Sequence, residues 1–353
     1  MLMSKNLGNL IDPNKDLNKI AIICEDQKIT YRALDILANS VSYYLLQKGI
    51  KKGDRVAIIS LNSIDYVIMY LGILKLGAVA VLISVNLPQT EIDYIIKDTD
   101  SKLILKDISD IELDTSKEYL FEIEPEKNDP ALILYSSGTT GKPKKTIISH
   151  RRKSILKTKL PFIKDCTSIL AHPLYHSSGE NVLELCLASH STLILLPKFN
   201  AKDFIKSIET YKVKKINAVP KIMQLILKEK ELIQQTDLSS VKSIYVSSEE
   251  FTQNLYDDII KVFKNCEVHN RYGLTEAGPG IFSKHSTLPT PPLSVGYPNP
   301  PIQCRIVNGI LQIKNNMILN LESDKLTEDG YYITNDFFKV DEQGFYYFIG
   351  RKK

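Results

Sequence analysis

Along most of this chain, stretches of helical periodicity alternate with short, continuous apolar runs. Leu34, Leu37, Ala38, Val41 and Leu45 fall on one helical face. Thr30 precedes them with a hydroxyl able to cap the first turn, and Gly49 follows as a stop. Residues 55–60 (RVAIIS) then read as a strand and 63–76 as a helix. Thr90 is placed to cap a further helix before an extended segment at 103–105, and residues 131–135 (ALILY) make a short buried strand. In the second half, strands are expected at 168–171, 192–196, 215–219, 243–247 and 268–272, with helices at 201–211, 220–229 and 253–263. Pro220 suits a first helical turn, where its missing N–H has no partner to lose. Such alternation predicts mainly parallel sheets with helices on both faces.

Residues 66–85 are almost wholly apolar and about the length of a membrane span. Lys75 near the middle, the interruptions at Gly72 and Gly77, and Asn86-Leu87-Pro88 directly after favour a buried helix ending near Gly77, then a buried strand at 78–83. No membrane span is expected.

After about residue 284 the texture changes. Prolines cluster at 289, 291, 292, 298, 300 and 301, and short strands with turn signals follow. Asn308-Gly309 between CRIV and ILQIK is a strong hairpin signal, and Asp341-Glu342-Gln343-Gly344 separates FFKV from FYYFIG in the same way. The expected fold class is therefore α/β, with two mainly parallel sheets flanked by helices in a layered core. A small antiparallel, β-barrel-like subdomain completes it. Boundaries are expected at 1–160, 161–283 and 284–353.

Composition narrows the function only a little. Forty-five basic against 41 acidic residues leave a formal charge of +4, too small and too scattered to imply a nucleic-acid partner. The five cysteines are dispersed, so no zinc knuckle or redox pair is present in the sequence. With no leader signal at the N-terminus, a cytoplasmic protein is expected.

The chemistry concentrates in residues 135–145, YSSGTTGKPKK, directly after a strand. Gly138 and Gly141 let the backbone approach phosphate oxygens, the hydroxyls of Ser136, Ser137, Thr139 and Thr140 can donate hydrogen bonds, and Lys142 and Lys144 add charge. It is not a Walker loop, because only two residues separate the glycines and Pro143 follows Lys142. A kinase or P-loop NTPase is disfavoured for that reason.

SSGTTGKPK resembles the signature loop of the adenylate-forming superfamily: acyl- and aryl-CoA synthetases, luciferases and the adenylation domains of peptide synthetases. Lys145 and Thr146 stand where that family usually has glycine and valine. The segment 270–278, NRYGLTEAG, resembles the family's YGxTE motif. By that resemblance Tyr272 stacks on adenine, Thr275 bonds the α-phosphate and Glu276 holds Mg2+, with Asn270, Arg271 and Gly273 beside them. A carboxylate is a hard oxygen ligand suited to magnesium. Residues 331–353 resemble the family's Thr-Gly-Asp, hairpin and Gly-Arg segment. Asp336 then accepts from the ribose hydroxyls and Arg351 reaches the nucleotide, while Asn335 replaces the expected glycine.

Two further segments bear on the acid. HPLYHSSG (172–179) resembles the segment with a gate beside the acyl pocket, and His176 is the matching residue; a structural hydrogen-bonding histidine is the plainer alternative. Amino-acid-activating members have a Phe-Asp pair here, and Tyr175-His176 lacks that carboxylate, which points to an aryl or fatty acid. Ser248 and Glu249 fall in the stretch that lines the adenine and acyl pocket. An inward Glu249 would shorten the pocket or favour a polar or cationic substrate; alternatively Glu249 and Glu250 cap the next helix or face solvent.

The resemblance runs from about residue 10 to 353 and implies acyl-AMP formation from MgATP and a small-molecule carboxylate, then transfer to CoA or a carrier-protein phosphopantetheine. Lys144, His176, Thr275 and Glu276 are the expected catalytic residues. Relatives continue past the position of Lys353 into a mobile C-terminal domain that supplies a lysine for adenylation. An excised core, a core served by a separate C-terminal-domain protein, and a catalytically incomplete nucleotide- or acyl-adenylate-binding protein all stay open.

Overall fold

The computed structural model describes residues 5–115, 123–136, 143–151, 166–275, 281–284, 288–315 and 325–352. The chain divides into two compact units, residues 1–166 with 171–198, and residues 167–170 with 199–353.

The first unit opens with an antiparallel hairpin, β1 (Ile20–Cys24) and β2 (Gln27–Thr30), which the sequence pattern did not announce. Helix α1 (Tyr31–Gln47) begins as expected, with the Thr30 hydroxyl accepting from the Ala33 N–H. Leu34, Ala38, Val41 and Leu45 are fully buried, and Gly49 takes φ +80° beyond the helix end. Strand β3 (Arg55–Ile58) leads to α2 (Ile64–Lys75), capped by the Ser63 hydroxyl and buried on nearly every side. Lys75, the charge inside the apolar run, is buried against Asp35 at 2.8 Å. Strand β4 (Val79–Leu82) completes that run. No helix among the described residues is long and apolar enough to cross a membrane.

Helix α3 (Gln89–Thr99) starts earlier than expected. Its N-cap is Pro88, without a side-chain cap bond, so Thr90 lies inside the first turn rather than before it. Strands β5 (Leu103–Leu105), β6 (Pro130–Ser136) and β7 (Lys144–Ser149) finish a sheet of order β5-β3-β4-β6-β7, parallel except for β7, which runs antiparallel to β6.

Strand β8 (Thr167–Leu170) belongs to the second unit. The chain then returns to the first with α4 (Ser177–Ser189) and β9 (Thr192–Leu195), which pairs in parallel with β1. Buried Asn62 fixes this return. Its amide donates to the carbonyls of His172 (2.8 Å) and Leu196 (3.0 Å), and its oxygen accepts from the Leu174 N–H (2.8 Å).

The second unit continues through α5 (Ala201–Thr210), β10 (Lys215–Ala218), α6 (Pro220–Lys228), α7 (Lys230–Gln235), β11 (Ser243–Ser247), α8 (Gln253–Val262) and β12 (Glu267–Arg271). Its strands pair in parallel in the order β12-β11-β10-β8. Phe204, Ile205 and Ile208 of α5, Met223 and Ile226 of α6, and Leu255 and Ile259 of α8 are the buried stripes of its helices. After the short pair β13 (Phe282–Ser283) and β14 (Tyr297–Pro298) come β15 (Gln303–Val307), β16 (Ile310–Lys314), β17 (Tyr332–Val340) and β18 (Tyr346–Arg351). These last four form the small antiparallel sheet expected at the C-terminal end. Asn308 and Gly309 both take positive φ, 51° and 77°, as a two-residue hairpin turn requires.

Two outcomes follow. A Cβ on Gly72 would lie 2.6 Å from the Val41 side chain and 2.9 Å from the Ala38 carbonyl, so α1 and α2 touch through a hydrogen atom there. Gly72→Ala is expected to lower unfolding free energy by about 1–3 kcal/mol, despite alanine's better helix propensity; a neutral result in urea denaturation would show that the helices separate freely. His172 is 4% exposed, and burial, with His176 adding to it, lowers its pKa from 6.5 to about 4. Stability tied to its neutral form is complete above the unfolded value and is lost as pH falls toward the folded one. Between neutral pH and pH 5 the loss should be about 2 kcal/mol, and His172→Gln should flatten that slope in pH-resolved denaturation. An unchanged slope would remove His172 from the acid response.

Candidate functional site

In the second unit, Tyr272 follows the last residue of β12. Its phenol donates to Asp336 Oδ2 at 2.6 Å. Asp336 sits on β17 directly opposite Arg351 of β18, and the guanidinium donates from Nε to Oδ1 (2.5 Å) and from Nη2 to Oδ2 (3.0 Å). The carboxylate has no solvent exposure, whereas the Arg351 side chain is 59% exposed. The Asp336 N–H donates to the Thr334 hydroxyl, which donates in turn to the Leu311 carbonyl. A register shift follows immediately between Phe337 and Phe338; such irregularities re-aim neighbouring side chains. Asn335, where the resemblance expects glycine, takes φ 61°, a left-handed position that asparagine tolerates.

The Tyr272 ring packs edge-on to Phe338 at 4.8 Å, with Phe282 and Phe348 at 6.0 Å. Burial, then the Asp336 charge, push the Tyr272 phenol far above its usual range, so it stays protonated as a donor. Three of the expected residues, Tyr272, Asp336 and Arg351, thus form one hydrogen-bonded group. Asn270 braces the same segment by donating to the Leu293 carbonyl at 2.7 Å. Thr275 is half-buried and Gly273 exposed. Arg271 does not join this group, because it lies over the Tyr245 ring at 4.5 Å, and the pleat sends neighbouring residues to opposite faces. Ser248 takes φ 75°, a left-handed backbone position. Glu249 and Glu250 are exposed, and the cap of α8 is the Thr252 hydroxyl rather than either glutamate.

In the first unit, β6 ends at Ser136 and β7 begins at Lys144, and these two residues are directly paired. Ser137, Gly138, Thr139, Thr140 and Gly141 lie between them, outside the described residues, as does Glu276. One residue in from each end, Tyr135 and Lys145 both bind Asp98: the phenol donates to its carboxylate, and the Lys145 ammonium lies 2.8 Å away. The hydrogen bond from Lys145, then that from Tyr135, holds Asp98 below the usual carboxylate range. Sequence reasoning missed Asp98, and the lysine in place of the usual glycine was its only signal. The flanks of the loop are therefore tied to α3 by charge.

His176 is the N-cap residue of α4, exposed at the surface, with its ring 4.7 Å from that of Tyr175. Partial desolvation lowers its pKa from the ordinary imidazole value. Behind it, α4 carries two carboxylates one turn apart with no exposure, Glu180 and Glu184, and Tyr70 donates to Glu184 at 2.5 Å. Neither glutamate was singled out from the sequence, although two acidic residues on the buried side of an apolar helix were the available sign. Among the described residues, no cluster of metal-binding side chains occurs.

The profile of the AMP-binding enzyme family matches residues 12–312. Curated relatives include a putative acyl–CoA ligase of Bacillus subtilis, 25% identical, the match covering 94% of this chain and 76% of that protein. The 2-succinylbenzoate–CoA ligase of Bacillus cytotoxicus is 26% identical over 95% of this chain and 76% of its own length. Polyketide synthase PksN of Bacillus subtilis is 29% identical over 78% of this chain, but the match spans only 6% of that protein. Among solved structures, ATP-bound MatB from Rhodopseudomonas palustris superposes with a TM-score of 0.88 at 24% identity, covering 99% of this chain and 79% of that one. The inhibitor-bound N-terminal domain of FACL13 from Mycobacterium tuberculosis gives 0.86 at 22% identity, covering 99% and 100%. These likenesses establish a shared fold. With the family profile spanning most of the sequence, the chain belongs to the AMP-binding enzyme family.

Proposed function

We propose that this chain binds ATP and joins its α-phosphate to a small carboxylic acid, forming an acyl-adenylate and releasing pyrophosphate. The observation that carries this reading is the fully buried Asp336 carboxylate held between Tyr272 and Arg351. A ribose offers hydroxyl donors of the same kind as the Tyr272 phenol, and a carboxylate has lone pairs for several such donors. The Tyr272 ring, already set among aromatic neighbours, is a stacking surface for adenine.

The acid enters as a carboxylate, which is ionised at neutral pH and needs no protein base. One of its oxygens attacks the α-phosphorus, and the bond from that phosphorus to the bridging oxygen breaks, the electron pair leaving with pyrophosphate. The residues' task is to place the groups and spread charge. The loop from Ser136 to Gly141 would hold the β- and γ-phosphates, with Lys144 adding charge, and Thr275 would orient the α-phosphate. Glu276 is the proposed ligand of magnesium, which supplies positive charge along the triphosphate. His176 beside Tyr175 presents no carboxylate for an ammonium, which supports an aryl or fatty acid over an α-amino acid. A thiol, of CoA or of a carrier protein, is the proposed acceptor in a second step; likeness to relatives named as CoA ligases supports the first, and likeness to tyrocidine synthase 2 of Brevibacillus parabrevis the second.

Acid-dependent exchange of labelled pyrophosphate into ATP, across a panel of aryl and fatty acids, tests the reading. Exchange is expected with AMP as the accompanying product, and Thr275→Ala or Lys144→Met should slow it by about 10²-fold while the thermal midpoint holds. Release of ADP, or nucleotide binding with no exchange for any acid, would contradict adenylation.

A further inference from the structure

Across β10, β11 and β12, polar side chains predominate on one face of the second unit's parallel sheet. The register aligns Asn217, Tyr245 and His269 in a single row across β10, β11 and β12. Two residues away along the strands, Lys215, Ser243, Glu267 and Arg271 share that face, while Ile216, Ile244 and Val246 occupy the other. A strand buried between two helical layers ordinarily reads as apolar on both sides.

The polar face is built around the Tyr245 ring. The Lys215 ammonium lies 4.5 Å from the ring centroid, the Arg271 guanidinium carbon also 4.5 Å, and the His269 ring stacks at 4.8 Å. Among the described residues, neither Lys215 nor Arg271 is paired with a carboxylate. Glu267, the acidic group of this patch, is occupied by Lys284 and by His269. On the same face, in the row of Tyr245, Asn217 is 7% exposed, and its side-chain amide nitrogen is buried without a hydrogen-bond partner. A buried, unpaired amide donor is destabilising, and two cations on one ring repel each other. Burial alone would raise the Tyr245 phenol's pKa; Lys215, Arg271 and Lys284, with the Ser243 hydroxyl, outweigh it and bring the net direction down. The field at that hydroxyl is therefore positive.

We infer that this face is a binding subsite for a small oxyanion, a carboxylate or a phosphate group, gripped by Arg271 and Lys215 and met by the Asn217 amide. Arg271 offers a planar fork of donors, Lys215 a mobile charge, and Asn217 a fixed neutral donor. Arg271 at the end of β12 is exposed, whereas Asn217 is buried. Such a subsite gives the chain a place for a second negative charge, carried on the acid or on another ligand. The inference rests on the second unit's own residues and does not need the adenylation reading to be right.

Titration of the full chain with inorganic phosphate and, separately, with acetate, at constant ionic strength, tests it by calorimetry and thermal shift. Saturable binding of at least one is expected, and which of the two binds more tightly assigns the phosphoryl or the carboxylate source. Lys215→Gln and Arg271→Gln should each weaken that binding by about ten-fold. Asn217→Leu should abolish it while leaving the unliganded protein as stable or more so, because the unpaired amide is gone. ATP affinity, measured alongside, should be unaltered in Lys215→Gln, so a failure of nucleotide binding in the parent chain is read separately. The subsite is overturned if neither anion saturates, if the lysine and arginine variants bind as well as the parent, or if Lys215→Gln loses ATP in parallel.

Discussion

A carboxylate withdrawn completely from water needs donors that replace the solvent. Asp336 has them from two directions: the Arg351 guanidinium across the β17–β18 pair, and the Tyr272 phenol from the end of β12. Removing one partner of such a buried charge leaves the other without compensation, so the group stands or falls together. This fixes the segment that follows β12, with Thr275 in it, against the small antiparallel sheet of the second unit. The Asn270 bond to the Leu293 carbonyl braces the same junction. A motif that would otherwise be a strand end and a turn is thereby held in one conformation.

Much of the fold was legible because it follows from local patterning. Strands such as Ser243–Ser247 coincide with their apolar runs, and the Asn308-Gly309 turn takes the positive φ values its residues allow. The misses have physical causes. The β1–β2 hairpin turns on Glu25 at φ 53°, with no glycine or asparagine to mark it. Helix α4 opens with Ser-Ser-Gly and buries Glu180 and Glu184, so its inner side does not read as apolar. Pro88 starts α3 by its fixed geometry, without the hydroxyl that Thr90 appeared to offer. Asp98 and Asn62 act on residues distant in sequence, and no local window contains both partners.

The candidate site was legible in a different way, through motif residues rather than periodicity. Sequence alone grouped Arg271 with Tyr272, but neighbouring residues on a strand look to opposite faces. Tyr272 turns to Asp336 and the phenylalanines, and Arg271 to Tyr245 and Lys215. The buried polar groups of the two units also differ in kind. In the first, Asn62 uses its amide and carbonyl to close the chain's return through His172 and Leu174, which sets the position of His176 at the start of α4. In the second, a polar sheet face keeps cations together that have no carboxylate of their own among the described residues.

The role of Asp336 toward a nucleotide is tested most directly by comparing the affinities of ATP and 2′,3′-dideoxy-ATP for the parent chain and for Asp336→Asn. If the carboxylate reads the ribose, the parent should prefer ATP by about ten-fold or more, as expected for hydrogen bonds to a charged acceptor, and the variant should lose that preference. Equal affinity of the parent chain for both nucleotides would contradict it.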